Sequence, residues 1–212
     1  MKSRIPVLFS LCSILLLAAC GEKTTAPPAP APEPEPVAAI PEYSAEAFYE
    51  TTTFLLASGA GHAFSPGGDR VLISSDESGV FNAYALPVGG GEPQALTAST
   101  DNAMFAISGF PEDERILVTY DEGGNELNHV LVRETDGSLT DLTPGENLKA
   151  AFLAWSDDGQ HFYLTSTERN GQAFDVYRYA TADYSRELVF ENPGLQVAAI
   201  SGDGRWLALD KP

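Results

Sequence analysis

Cysteine is nearly missing from this chain of 212 residues. There are two, Cys12 and Cys20, both within the first twenty positions. A disulfide scaffold and a cysteine-based zinc site are therefore excluded for everything downstream. Basic side chains are scarce as well, 12 against 30 acidic ones, for a net charge of −18. A nucleic-acid binder needs a basic footprint to displace counterions, so no nucleic-acid partner is expected. Polybasic attraction to anionic lipid is excluded on the same ground. No serine has glycines two positions away on both sides, so the G-x-S-x-G turn that presents a hydrolase nucleophile is absent. What is present suffices for a core, because hydrophobic residues make up 43% and charged residues 20%.

Residues 1–19 have the design of a signal peptide. Lys2 and Arg4 form a positive start, and an apolar run of 13 residues follows from Val7 to Ala19. That is short of the roughly 20 residues that span a bilayer. The run ends in Leu17-Ala18-Ala19-Cys20, which resembles the bacterial lipobox. The resemblance implies that the Cys20 thiol carries a diacylglyceryl thioether, that cleavage falls before it and that the new amine is acylated. Two or three acyl chains are enough for stable anchoring. Gly21 after the cysteine implies sorting to the periplasmic face of the outer membrane. Loss of Lys2 and Arg4 takes the mature chain from −18 to −18 − 2 = −20. Residues 20–42 are expected to be a lipidated tether. Seven of the fifteen prolines fall between Gly21 and Glu42, and Ala-Pro and Glu-Pro alternation favours an extended chain with no apolar face to bury.

The remainder, 43–212, contains a repeat. Val71-Leu72-Ile73 recurs as Ile116-Leu117-Val118, Phe162-Tyr163-Leu164 and Leu207-Ala208-Leu209, at steps of 45, 46 and 45. A second apolar pair recurs as Ala83-Tyr84, Val130-Leu131 and Val176-Tyr177, and a third as Leu96-Thr97, Leu142-Thr143 and Leu188-Val189. Each unit opens on an apolar residue and a serine: Phe64-Ser65, Ile107-Ser108, Trp155-Ser156 and Ile200-Ser201. The segments have strand length, are rich in β-branched and aromatic residues, and are bounded by Gly, Asp, Asn and Pro. Asp158-Gly159, Asp203-Gly204 and Gly67-Gly68 suit type I′ hairpins, with positive φ at both positions. In the second unit, Pro111-Glu112-Asp113-Glu114 is expected to lengthen that turn by two residues. Four antiparallel strands repeating at this period predict an all-β fold, a partial β-propeller. A β-sandwich has turns at similar spacing, but its motif does not recur in register. Residues 60–212 accommodate three blades and two strands of a fourth, below the roughly four to eight blades of a closed propeller. The sequence is therefore expected to be the front part of a longer protein. Ahead of the repeat, Tyr43–Thr53 is expected to form a short helix with Ser44 as its cap and Glu46 and Glu50 on an early turn.

The units resemble the propeller repeat of the Tol-system propeller protein and of prolyl oligopeptidase-family serine peptidases. The shared pattern stands here as Phe64-Ser65-Pro66-Gly67-Gly68, Trp155-Ser156-Asp157-Asp158-Gly159 and Ile200-Ser201-Gly202-Asp203-Gly204. Three longer stretches, 74–84, 121–129 and 168–177, are similar to the N-terminal propeller of bacterial secreted prolyl oligopeptidase-like enzymes. That resemblance implies a propeller that caps an α/β-hydrolase domain and filters peptides by size. The hydrolase domain and its Ser-Asp-His triad are missing from this chain, and no paired glutamates stand out for binding a substrate amine. No catalytic residue is therefore expected here, and peptide substrates would be met through the missing domain. The alternative is a stand-alone Tol-type propeller lipoprotein that binds proteins in the cell envelope.

Other polar groups take structural readings. A metal centre needs several ligands to converge, and the three histidines, His62, His129 and His161, are far apart in sequence. The Asp121-Glu122-Gly123-Gly124-Asn125-Glu126 loop has hard oxygen ligands but neither the Asp-x-Asp spacing nor the terminal bidentate Glu of a calcium loop. A hairpin turn using Gly123 and Gly124 accounts for it. No cofactor is expected. The anchor carries the first test: Cys20→Ser is expected to abolish metabolic lipid labelling and to remove the protein from the membrane fraction. Unchanged membrane partitioning would overturn the lipobox reading.

Overall fold

The computed structural model describes residues 39–57 and 61–211. The expected signal peptide, Cys20 and the tether up to residue 38 lie outside the described residues. The chain divides into Met1–Tyr43 and Ser44–Pro212. Of the first unit, residues 39–43 are exposed and irregular. The second opens with a single 3-10 turn, Glu46–Phe48, in place of the expected helix over 43–53. Ala45, not Ser44, holds the cap position, although the Ser44 hydroxyl accepts a bond from the Ala47 N–H at 3.3 Å. None of this turn is buried, so no packing extends it past its costly nucleus.

Strands follow in consecutive antiparallel meanders. Blade one is β1 (Phe54–Leu56), β2 (Arg70–Ser75), β3 (Asn82–Pro87) and β4 (Gln94–Ala95). Blade two is β5 (Met104–Gly109), β6 (Ile116–Tyr120), β7 (His129–Arg133) and β8 (Leu139–Asp141). Blade three is β9 (Ala150–Trp155), β10 (His161–Ser166), β11 (Asp175–Ala180) and β12 (Arg186–Phe190). β13 (Gln196–Ile200) and β14 (Leu207–Asp210) form a two-stranded sheet. This is the partial β-propeller expected from the repeat, with the apolar triplets on the second strand of every unit.

The turns between first and second strands explain the recurring serine. In unit three the Gly159 N–H bonds to the Ser156 carbonyl at 3.0 Å, and the Ser156 N–H bonds to the His161 carbonyl at 2.9 Å. The Ser156 hydroxyl accepts the His161 N–H at 2.9 Å, so the hairpin's remaining donor is satisfied. Ser65 serves Arg70 in the same way, and Ser201 serves Trp206. Only the second residue of each expected pair has positive φ: Gly68 at 69°, Gly159 at 65° and Gly204 at 69°. These are type I turns followed by a left-handed glycine, not type I′ turns. Asp158 and Asp203 contribute carboxylates that accept the serine hydroxyl at 2.7 Å, so they are present for their side chains. The second unit also corrects the sequence reading. Its turn is not lengthened, since the Phe110 N–H meets the Arg115 carbonyl just as the Ser65 N–H meets that of Arg70. Phe110 therefore stands where the serine stands elsewhere, and Ser108 lies two residues earlier and is fully buried.

Blade two is the centre of the core, because both its faces are covered. Ile116, Val118 and Leu131 pack with Leu72 and Ala83 of blade one. Leu117, Val130 and Val132 point the other way, into a cluster with Phe110, Trp155, Phe162 and Tyr179. Phe162 stacks on Tyr179 at 5.2 Å, and Trp155 and Phe110 meet its edges at 5.3 and 6.0 Å. Main-chain bonds join neighbouring blades, from the Met104 N–H to the Phe81 carbonyl at one end and from Gly109 to His62 at the other. The two-stranded sheet sits close on blade three. A side chain on Gly204 would run into the Tyr163 hydroxyl, and one on Gly202 into the Asp157 carboxylate.

At the head of each third strand a polar side chain ties the strand to the end of the fourth or to the loop after it. Asn82 bonds Thr97 and Ser99 in blade one, and His129 bonds Asp141 in blade two. In blade three Asp175 accepts Arg169 Nε at 2.6 Å, Arg169 Nη2 at 2.8 Å and the Asn192 N–H at 2.7 Å. The Asp175 side chain is 0% exposed, and these donors hold its carboxyl below its ordinary pKa, Arg169 contributing most. Two outcomes follow. Phe162→Ala, which empties the aromatic cluster, is expected to cost about 3–5 kcal/mol in denaturant unfolding; a cost below about 1 kcal/mol would contradict the packing described. Because folding lowers the Asp175 pKa, its stabilisation is complete above the unfolded value and lost as pH falls through the folded one. Asp175→Asn is thus expected to melt lower at neutral pH, with the gap from wild type closing below about pH 4. A gap that stays constant into acid would mean that the charge is not what stabilises.

Candidate functional site

The three histidines sit on three different units and do not converge. His62 is exposed, its N–H bonded to the Ser108 hydroxyl at 2.8 Å. His161 heads β10 in the turn described above. His129 Nδ1 lies 3.0 Å from Asp141 Oδ2, with the Tyr120 ring beside it at 5.6 Å. Burial, followed by the charges of Asp141 and Glu122, pushes the Tyr120 phenol up. Among the described residues no group of three or more His, Cys, Asp or Glu side chains is arranged to hold a metal ion. The 121–126 loop is a hairpin turn with Gly123 and Gly124 at φ 63° and 78°. Asp121 Oδ2 accepts the Glu126 N–H at 2.8 Å, and Asn102 Oδ1 accepts that of Gly123 at 2.9 Å.

The sequence reading assigned no site to a recess that the structure contains. It lies between blades one and two and has a volume of about 240 Å³. Its origin becomes clear when the two inter-blade interfaces are compared position by position. Each second strand begins opposite a residue seven positions earlier: Phe64 opposite Val71, Gly109 opposite Ile116, Trp155 opposite Phe162 and Ile200 opposite Leu207. Across the next ladder, Ile116 faces Arg133 as Phe162 faces Tyr179, and Leu72 faces Ala85 as Leu117 faces Val132. Between blades two and three these positions hold Phe110, Trp155, Phe162, Tyr179 and Val132, the aromatic cluster of the core. Between blades one and two the same positions hold Ser65, Gly109, Ile116, Arg133 and Ala85, all of which line the recess. One interface is filled with rings, and the other is hollow where the rings would be.

Arg133 confirms the equivalence. Its Nε donates to the Leu96 carbonyl at 3.2 Å, as the Tyr179 hydroxyl donates to the Leu142 carbonyl at 3.1 Å. Leu96 and Leu142 are themselves one repeat apart. The charges around the recess are otherwise paired. Arg115 grips both oxygens of Asp113 at 2.9 and 2.8 Å, which raises the guanidinium pKa and lowers that of the carboxyl. Arg115 also donates to the Thr181 carbonyl and the Tyr184 hydroxyl, with its plane 4.1 Å over Phe110. Arg70 Nη2 meets Glu114 at 2.7 Å. Arg133 is half-buried and forms no ion pair among the described residues. The lining thus carries three guanidinium groups against two carboxylates, an excess of one positive charge in a chain of −18.

This recess was within reach of the sequence. Ile107-Ser108 stands two residues before the true counterpart of Phe64-Ser65, which is Gly109-Phe110. Counting seven back from each apolar triplet places Gly109 under Trp155, and the empty position is then visible.

No family model and no curated protein matches the sequence. Solved structures are similar in fold. TolB from Acinetobacter baumannii has 21% identity and a TM-score of 0.51, over 74% of this chain and 37% of its own. The TolB-type protein of Agrobacterium tumefaciens has 22% identity and a TM-score of 0.50, over 65% of this chain and 50% of its own. A prolyl endopeptidase has 14% identity and a TM-score of 0.52, over 69% of this chain and 24% of its own. The chain therefore spans a quarter to a half of the length of these proteins. What these likenesses show is the fold, that of a β-propeller module.

Proposed function

We propose that this chain is the propeller portion of a prolyl oligopeptidase-like serine peptidase, held in the cell envelope through Cys20 and gating peptide access to a hydrolase domain carried elsewhere in the same protein. The observation that carries the reading is the open flank of blade one. Phe54, Leu56 and Phe64 are 55%, 65% and 57% exposed, and they pair with Ser75, Ile73 and Val71, the positions that alternate with Leu72, which packs on blade two. Phe64 occupies the position of Trp155, which is buried against the neighbouring blade. On the last unit Trp206 is 71% exposed, in the register position from which Arg115 reaches across to blade three. Apolar flanks of this size favour burial against further sheet.

The choice of a peptidase rests on the resemblance of 74–84, 121–129 and 168–177 to secreted enzymes of that kind. A size-filtering role draws support from the first strands, which line the axis of a propeller. There Leu55, Phe105 and Phe152 border a recess that Ser74 and Thr119 also line, the Ser74 hydroxyl accepting the Ala106 N–H at 2.9 Å. The stand-alone Tol-type lipoprotein fits the same flanks, and one experiment separates the two. Native protein from the envelope fraction would be treated with a fluorophosphonate probe alongside recombinant 1–212. The peptidase reading expects a labelled native polypeptide longer than 212 residues and an unlabelled recombinant chain. An unlabelled native protein, or a label on any serine within 43–212, would overturn it.

A further inference from the structure

We propose that the recess between blades one and two is a binding site for a compact aromatic carboxylate, its ring taking the place of the missing aromatic side chains and its carboxylate paired with Arg133. The inference does not depend on the peptidase reading. It rests on the repeat, which supplies a filled copy of the same site one blade further on.

The filled interface gives the shape of what is absent. Where Gly109 and Ile116 stand, the next interface has an indole and a phenyl ring in edge contact at 5.3 Å. Removing both rings while keeping the strands in register leaves a slot bounded by two sheets, with Leu72 and Leu96 on its apolar walls. At about 240 Å³ the slot is smaller than the roughly 300–1,000 Å³ of sites for drug-sized molecules. It therefore accepts one ring with a short substituent. Apolar walls alone would admit any such ring, and Arg133 makes the choice among them. A half-buried guanidinium with Nε fixed on the Leu96 carbonyl keeps its Nη donors for another acceptor. Of the carboxylates around it, Asp113 and Glu114 are taken by Arg115 and Arg70. Asp136 accepts the Ser138 hydroxyl and N–H, which lower its pKa with help from the Arg133 charge, and it forms no ion pair with Arg133 among the described residues. A planar carboxylate fits the fork of an arginine, and charge-assisted bonds of this kind are stronger than neutral ones. The ligand chemistry has two sources, a free aryl acid or the aromatic C-terminal residue of a peptide, and both present the same ring and carboxylate.

The test titrates the full chain calorimetrically with 3-phenylpropionate, its amide, N-acetylphenylalanine and N-acetylphenylalaninamide. At least one of the two acids is expected to bind, with its amide about tenfold weaker or worse. Tighter binding of N-acetylphenylalanine than of 3-phenylpropionate identifies a peptide C-terminus as the source, and the reverse order a free acid. Arg133→Gln is expected to weaken the acid about tenfold while leaving the amide unchanged. Ile116→Phe copies the residue that blade three carries at this position, so it fills the slot without breaking the repeat. It is expected to abolish binding with an unfolding midpoint at or above that of wild type. Failure of both acids to bind, equal affinity for acid and amide, or an Ile116→Phe protein that binds like wild type would each overturn the proposal.

Discussion

Face-to-face burial between successive four-stranded sheets is the constraint on which the structure depends. A meander of four short strands has two apolar faces and cannot cover either alone. In blade two the alternation along β6 sends Ile116 and Val118 to one neighbour and Leu117 to the other, and β7 answers with Leu131 on one side and Val130 and Val132 on the other. Both faces are thereby covered, the one toward blade one except at the recess. The consequences run outward from that sheet: the strand register, the position of each turn and the bonds that link adjoining units follow from bringing the next face within reach.

Polar chemistry is subordinate to this stacking. In units one, three and four the serine of the inter-strand turn satisfies the one N–H that a type I turn with a left-handed glycine leaves over, and in unit two Asp113 accepts the corresponding N–H of Arg115. The side chain at the head of each third strand closes a blade onto its own last strand or the loop beyond it. That task is performed by an amide in blade one, an imidazole–carboxylate pair in blade two and a carboxylate held by Arg169 in blade three. The same position in three successive units is thus served by three different chemistries. Among the described residues no buried side-chain nitrogen or oxygen lacks a partner, so each solution is complete.

Most of the architecture was legible in the sequence, because strand periodicity and repeat length both derive from local residue pattern. The second-strand triplets, the meander and the two extra strands all stand where the apolar spacing put them. Three readings failed, each for a physical reason. Asp158 and Asp203 looked like partners of glycine in a type I′ turn, but their role is to accept a serine hydroxyl. Ser108 looked like the turn serine of its unit, yet it is a buried junction that accepts bonds from the His62 N–H and from Trp155 Nε1 and donates to the Gly109 carbonyl. The helix over 43–53 had a capping residue but no face to bury. The recess is a relation between two sheets, legible only when successive units are compared position by position. Gly109, Ala85 and Arg133 are unremarkable within their own strands, and become a cavity only when superposed on Trp155, Val132 and Tyr179.

That superposition bears on how such a molecule diversifies. Each interface is made by its own pair of sheets, and in stacked repeats stability is roughly a sum of units and nearest-neighbour contacts. A change that hollows one interface leaves the next intact, as the aromatic cluster beyond blade two demonstrates. Duplicated units therefore supply redundant copies of a solved packing problem, in which one copy can lose its rings to glycine, alanine and isoleucine while its neighbour preserves the fold. Arg133 and Tyr179, donating to equivalent carbonyls one repeat apart, hold the same place in successive units, the first half-buried and charged and the second packed into the core.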